Sequence, residues 1–112
     1  MLRGALVAAP LLAAASVAVA ADGRPAVTLT DADPVTVRGL RFGAGERVTV
    51  RVVIRGGSRQ TRLVRASPRG SFTALFPTLA VTQCDTYTIH ALGWRGSKAT
   101  RVQLPPPCGP SL

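Results

Sequence analysis

The sequence predicts an all-β domain, a single two-sheet sandwich of about seven short strands that follows a signal peptide. Three observations lead there. From Ala26 onward apolar residues recur with period two, and no stretch repeats at the three-to-four spacing of an amphipathic helix. Glycine, proline and aspartate interrupt that alternation at short intervals, as turns between short strands require. Ahead of it, Met1-Leu2-Arg3 makes a basic start, an Ala/Leu/Val run extends from Ala5 to Ala21, and the small-residue triplet Ala18-Val19-Ala20 closes it.

Residues 1–21 are therefore expected to be a secretory signal, with the mature protein beginning at Ala21 or Asp22 and working outside the cytoplasm. A stable membrane span is disfavoured because alanine is weakly apolar, Pro10 interrupts the run and Asp22-Gly23-Arg24-Pro25 ends it abruptly. No cysteine lies near the cleavage site to carry a lipid. The mature chain of about 90 residues suits one domain, expected over 22–104, and a Pro-rich tail over 105–112.

Strands are expected at 26–30, 35–40, 46–54, 60–66, 71–76, 86–92 and 98–104. The third is the clearest: Val48, Val50, Val52 and Ile54 share one face, while Arg47, Thr49, Arg51 and Arg55 share the other, with Val53 as the exception. Asp33-Pro34, Gly43-Ala44-Gly45, Gly56-Gly57, Pro68-Arg69-Gly70 and Gly93-Trp94-Arg95-Gly96 supply the turns. The two cysteines, Cys84 and Cys108, are expected to form a disulfide, because an even count in an exported chain reads that way. A hairpin of 86–92 with 98–104 would also bring Cys108 back beside Cys84, tying the tail to the hairpin's base. Only His90 could join a rival metal site, so no metal is expected.

The formal charge is +9, falling to +8 when Arg3 leaves with the signal. Such a balance favours anionic partners. All the basic residues but Lys98 are arginines, however, a bias that a GC-rich genome also produces without selection for binding. Within that excess, Arg47, Arg51 and Arg55 form a stripe on one strand face, and Arg62 belongs to the next strand with Arg59, Arg65 and Arg69 beside it. A two-residue Gly56-Gly57 turn would pair Arg51 with Arg62; a three-residue loop would set Arg55 opposite Arg59. Either register gathers guanidinium groups on one face, with Arg47, Arg51, Arg55 and Arg62 as the candidate anion contacts. Trp94, beside Arg95 in a turn, is the one aromatic expected at a loop tip. There it either stacks on a sugar or enters a membrane interface, or it folds back over the end of the sandwich.

Catalytic chemistry is hard to assemble. His90 alternates with Tyr87, Ile89 and Ala91 and so faces outward with Thr86 and Thr88, as an exposed sheet histidine does. Asp31 and Asp33 read as turn caps, since Asp22, Glu46 and Asp85 are the only other acids and cannot complete a calcium shell. Gly43-Ala44-Gly45 lacks the rest of a phosphate loop, and no Gly-x-Ser-x-Gly elbow occurs. The chain is accordingly expected to be no enzyme and to hold no cofactor. Phe42, Phe72, Phe76 and Tyr87 read as core, which leaves no base-stacking platform and makes sequence-specific nucleic-acid recognition an unfavoured role.

The run from Val35 to Val50, with Gly39, Phe42, Gly45-Glu46 and the long valine strand, resembles the immunoglobulin-like modules of secreted actinobacterial and related bacterial proteins. Gly70-Ser71-Phe72 resembles their Gly-x-Phe strand start, and Tyr87-Thr88-Ile89-His90-Ala91-Leu92-Gly93 their Tyr-Thr-Val-x-Ala-x-Gly strand. The resemblance implies an immunoglobulin-like sandwich with Ile89 in the core where antibody domains carry a cysteine. Asp85-x-Tyr87 resembles a tyrosine corner, which implies a hydroxyl bonded to loop backbone. These are signatures of fold. The expected role is a monomeric structural, adhesive or binding module of the cell envelope, meeting an anionic polymer or a protein through its Arg-rich face. The alternative is a small-ligand or carbohydrate binder acting through loops that include Trp94.

Overall fold

Apolar residues at every second position from Val48 to Ile54 give one strand with a wholly apolar inner side and an outer side that is polar but for Val53, and the rest of the fold assembles around it. The computed structural model describes residues 23–104 and Cys108; the expected signal peptide and most of the expected tail lie outside the described residues. Seven strands follow in order: β1 Ala26–Ala32, β2 Val35–Leu40, β3 Arg47–Ile54, β4 Arg59–Arg65, β5 Phe72–Phe76, β6 Tyr87–Gly93 and β7 Lys98–Gln103. They form two antiparallel sheets, ordered β1-β2-β5 and β4-β3-β6-β7, and no helix occurs among the described residues. The all-β two-sheet sandwich expected from the sequence is thus present, with strand ends displaced by a residue or two. β1 runs on to Ala32 through a bulge between Leu29 and Asp31.

The core lies between the sheets. Val48, Val50 and Val52 from β3 and Ile89 and Ala91 from β6 meet Val35 and Val37 from β2 and Ala74 and Phe76 from β5, all without solvent exposure. Burying one such valine or isoleucine contributes roughly 1.5–3 kcal/mol. Phe42 and Phe72 pack edge to face with ring centroids 5.1 Å apart. Gly39 lies opposite Phe72 in the β2–β5 register, and a Cβ there would overlap the Phe72 ring, so only glycine fits beneath it. Tyr87 is also buried, but no hydrogen bond of its hydroxyl is found among the described residues, so the tyrosine corner implied by resemblance is not seen. Burial raises its pKa, opposed by the charge of Arg101.

The β3–β4 connection departs from both expected registers. Its loop is Arg55-Gly56-Gly57, closed by the Ile54 amide donating to Ser58 O at 2.9 Å, with Gly56 left-handed at φ 72°. Arg51 therefore faces Thr61, Arg47 faces Arg65, and Arg62 faces Val50. The register places Val64 on the core side, and Ala66 follows it into the core, whereas the two-residue turn would have placed Leu63 there. Arg62 is consequently on the sandwich-facing side of edge strand β4. Arg101 occupies the equivalent place on the opposite edge strand β7, across from Ile89. Both remain exposed.

An inward-facing charge on an edge strand prevents another chain from pairing there, because pairing would bury it. Replacing Arg62 and Arg101 together with valine should leave the circular-dichroism spectrum β-type yet produce higher-mass species in sedimentation velocity that the parent lacks. A double variant that sediments as the parent does would refute this role.

At the open end of the β6–β7 hairpin, Tyr87 pairs with Gln103. The chain thus brings Cys108 to Cys84, and the expected disulfide is present with a Cα–Cα separation of 5.7 Å. Asp85 caps the turn before β6, accepting from the Thr82 amide at 2.7 Å, and Asp31 accepts from the Asp33 amide at 3.4 Å, both as turn caps. No helix among the described residues is long and apolar enough to cross a membrane.

Candidate functional site: a cationic sheet face with a tryptophan ledge

Strand alternation sends every second residue of β4-β3-β6-β7 away from the core, and pairing aligns those residues in rows across the sheet. One row reads Leu63, Thr49, Leu92, Lys98; the next reads Thr61, Arg51, His90, Thr100; a third reads Arg59, Val53, Thr88, Val102. Arg65 and Arg47 pair above the first row. The outer face therefore carries Arg47, Arg51, Arg59, Arg65 and Lys98, with His90 exposed at its centre as expected. A shallow depression of about 390 Å³ lies over the middle rows, between Arg51, His90, Lys98 and Leu92. Leu63 and Leu92, 55% and 53% exposed, flank Thr49 on either side and set apolar surface among the cations.

Of the four arginines expected to act together, Arg47 and Arg51 share this face. Arg62 does not, because the register turns it to the other side of the sheet. Arg55 has left β3 and sits in the loop, its amide donating to Thr86 O at 2.9 Å. In their place the face gains Arg65, Arg59 and Lys98.

Trp94 closes one end of the face. Rather than folding back over the end of the sandwich, it is 62% exposed, with the Arg47 guanidinium carbon 5.2 Å from its ring centroid. Its amide donates to Arg47 O at 2.8 Å, which fixes the backbone beneath the ring to β3. The neighbouring Arg95 is committed to the loop, its guanidinium Nη2 donating to Ala44 O at 3.0 Å.

The turn that holds Trp94 is built on a residue the sequence did not single out as functional. Glu46 is 1% exposed, and both carboxylate oxygens are fully engaged. Oε1 accepts from the Gly43 amide at 2.8 Å and the Ser97 hydroxyl at 2.7 Å, while Oε2 accepts from the Arg95 amide at 2.8 Å and the Ser97 amide at 3.4 Å. Burial alone would raise its pKa, but the bonds from Ser97, Gly43 and Arg95 outweigh it and hold the group below the ordinary carboxylate range. A Cβ on Gly93 would overlap the carboxylate, so a side chain there would push Glu46 out of its bonds where β6 ends. Its only sequence signal is an acid placed directly after Gly45 at the head of a strand.

A second cavity, of about 470 Å³, opens between β1 and β7 near the disulfide and is lined by Leu29, Val81, Tyr87 and Leu104 among others. Among the described residues no group of three or more His, Cys, Asp or Glu side chains could hold a metal ion. No family model and no curated protein matches this chain.

Proposed function

We propose that this protein is an exported, non-catalytic module of immunoglobulin-like type that binds an anionic polymer of the cell envelope through the outer face of β4-β3-β6-β7. One observation carries the reading. The four strands of that sheet hold seven cationic side chains and not one carboxylate. Five of the seven point outward, and Glu46 and Asp85, the acids nearest in sequence, are occupied by loop amides and hydroxyls. Guanidinium groups in a row present forked donors to carboxylate or phosphate oxygens along a chain. The strand order, with β4 joining the sheet of β3, β6 and β7, supports the immunoglobulin-like assignment. The disulfide is in keeping with an oxidising compartment outside the cytoplasm.

Converting Arg47, Arg51 and Arg65 to serine should preserve the fold, since none of them packs in the core, and should abolish retention on immobilised anionic polymer at moderate salt. The log–log dependence of affinity on salt should flatten by roughly two to three units as those contacts are lost. Arg62→Ser, across the sheet, should retain the parent's slope. Unchanged retention by the triple variant would overturn the proposal.

A further inference from the structure

We infer that the polymer bound by this face is a uronate-bearing polysaccharide, with Trp94 stacking on a pyranose ring while neighbouring guanidinium groups take its carboxylates. The inference rests on the anion-binding reading above and adds the sugar. Arg47 covers one face of the indole, and with Trp94 62% exposed the remaining surface is open to solvent. The slightly positive C–H edges of a pyranose match the negative face of an indole, as cations do. The backbone that carries the ring is also held in place before any ligand arrives. Its turn is fixed by the Trp94 amide on Arg47 O, by the Gly93 amide on Ser97 O at 2.7 Å, and by Glu46 bonding Arg95 and Ser97. A platform whose backbone is already fixed loses less freedom on binding.

Position supplies the charge. Arg47 is at once the partner of the indole and the first cation of its face, and Arg51 follows four residues along β3, roughly 13 Å away at strand rise. A sugar on Trp94 therefore leaves the next residues of its chain over the cations. Single-stranded nucleic acid is the less suitable ligand, because it is held by successive aromatic platforms, and Phe42, Phe72, Phe76 and Tyr87 are buried.

The test compares polymers on the full chain. Polygalacturonate carries rings and carboxylates, its methyl ester carries rings alone, poly-glutamate carries carboxylates alone, and oligo-thymidine of matched charge carries phosphates and bases. Polygalacturonate should bind at least ten-fold more tightly than each of the others and should shift the emission of Trp94, the only tryptophan. Trp94→Ala should bring polygalacturonate down to the level of poly-glutamate, while Trp94→Tyr, which keeps a platform, should retain most of the preference. Equal affinity for polygalacturonate and poly-glutamate, or a preference that survives Trp94→Ala, would overturn the sugar and leave the anion reading standing. Tighter binding of oligo-thymidine would replace the sugar by nucleic acid. Equal binding of the neutral ester, or binding of none of the four, would overturn both readings.

Discussion

Replacing Glu46 with alanine should destabilise the domain by about 1–3 kcal/mol, the range for leaving hydrogen-bond donors without their acceptor. The loss follows from what remains behind. The amides of Gly43, Arg95 and Ser97 all donate to this carboxylate, and alanine would leave all three without their acceptor. Glutamine should not rescue the variant, because its NH₂ would point at amide donors where an acceptor is needed. Protonation acts in the same direction. The folded state holds the Glu46 pKa below its unfolded value, so the stabilisation is complete above the unfolded value of roughly 4.3. It is then lost as pH falls from there through the folded value. Urea unfolding of the parent should accordingly be steady from neutrality down to about pH 5 and weaken below about pH 4. Glu46→Ala should lack much of that acid slope, and an identical slope in both proteins would show that other carboxylates govern it.

Converting Cys84 and Cys108 to serine should cost roughly 3 kcal/mol, from the entropy that a closed loop of about 25 residues removes from the unfolded chain. Against the roughly 5–15 kcal/mol of an ordinary domain that is a substantial share. The effect should appear mainly as a lower urea midpoint, and reducing the parent with dithiothreitol should reproduce it. Because the bridge joins two exposed residues and no core side chain is altered, the folded spectrum should persist. A parent whose midpoint ignores reductant would contradict the assignment.

The elements most legible in the sequence are those whose information is local. Val48, Val50, Val52 and Ile54 announce a half-buried strand because strand periodicity is two, and the placement of Cys108 beside Cys84 follows from the antiparallel return of a single hairpin. The β3–β4 register was not legible. Arg55-Gly56-Gly57-Ser58 accommodates several loops, and the adjacent Leu63 and Val64 allow either face of β4 to turn inward, so only packing against the second sheet decides. That decision moved Arg62 away from Arg47 and Arg51 and replaced it with Arg65. Glu46 was hidden for a different reason. An acid after a glycine reads as a surface turn, and its partners Arg95 and Ser97 stand 49 and 51 residues further along the chain. Trp94 shows the same limit, since whether a turn aromatic covers the core or stands clear depends on contacts such as the one with Arg47.

The position of the disulfide also decides how the molecule carries tension. Cys84 precedes β6 and Cys108 follows β7, so the bond closes a covalent ring around the whole hairpin, Trp94 included. A pull between the chain ahead of residue 84 and the chain beyond residue 108 passes from sulfur to sulfur and bypasses everything between. β7, the edge strand that a tug on its own end would otherwise unzip one hydrogen bond at a time, carries none of that force. The backbone of the Trp94 turn therefore lies off the covalent path of a pull applied beyond residue 108.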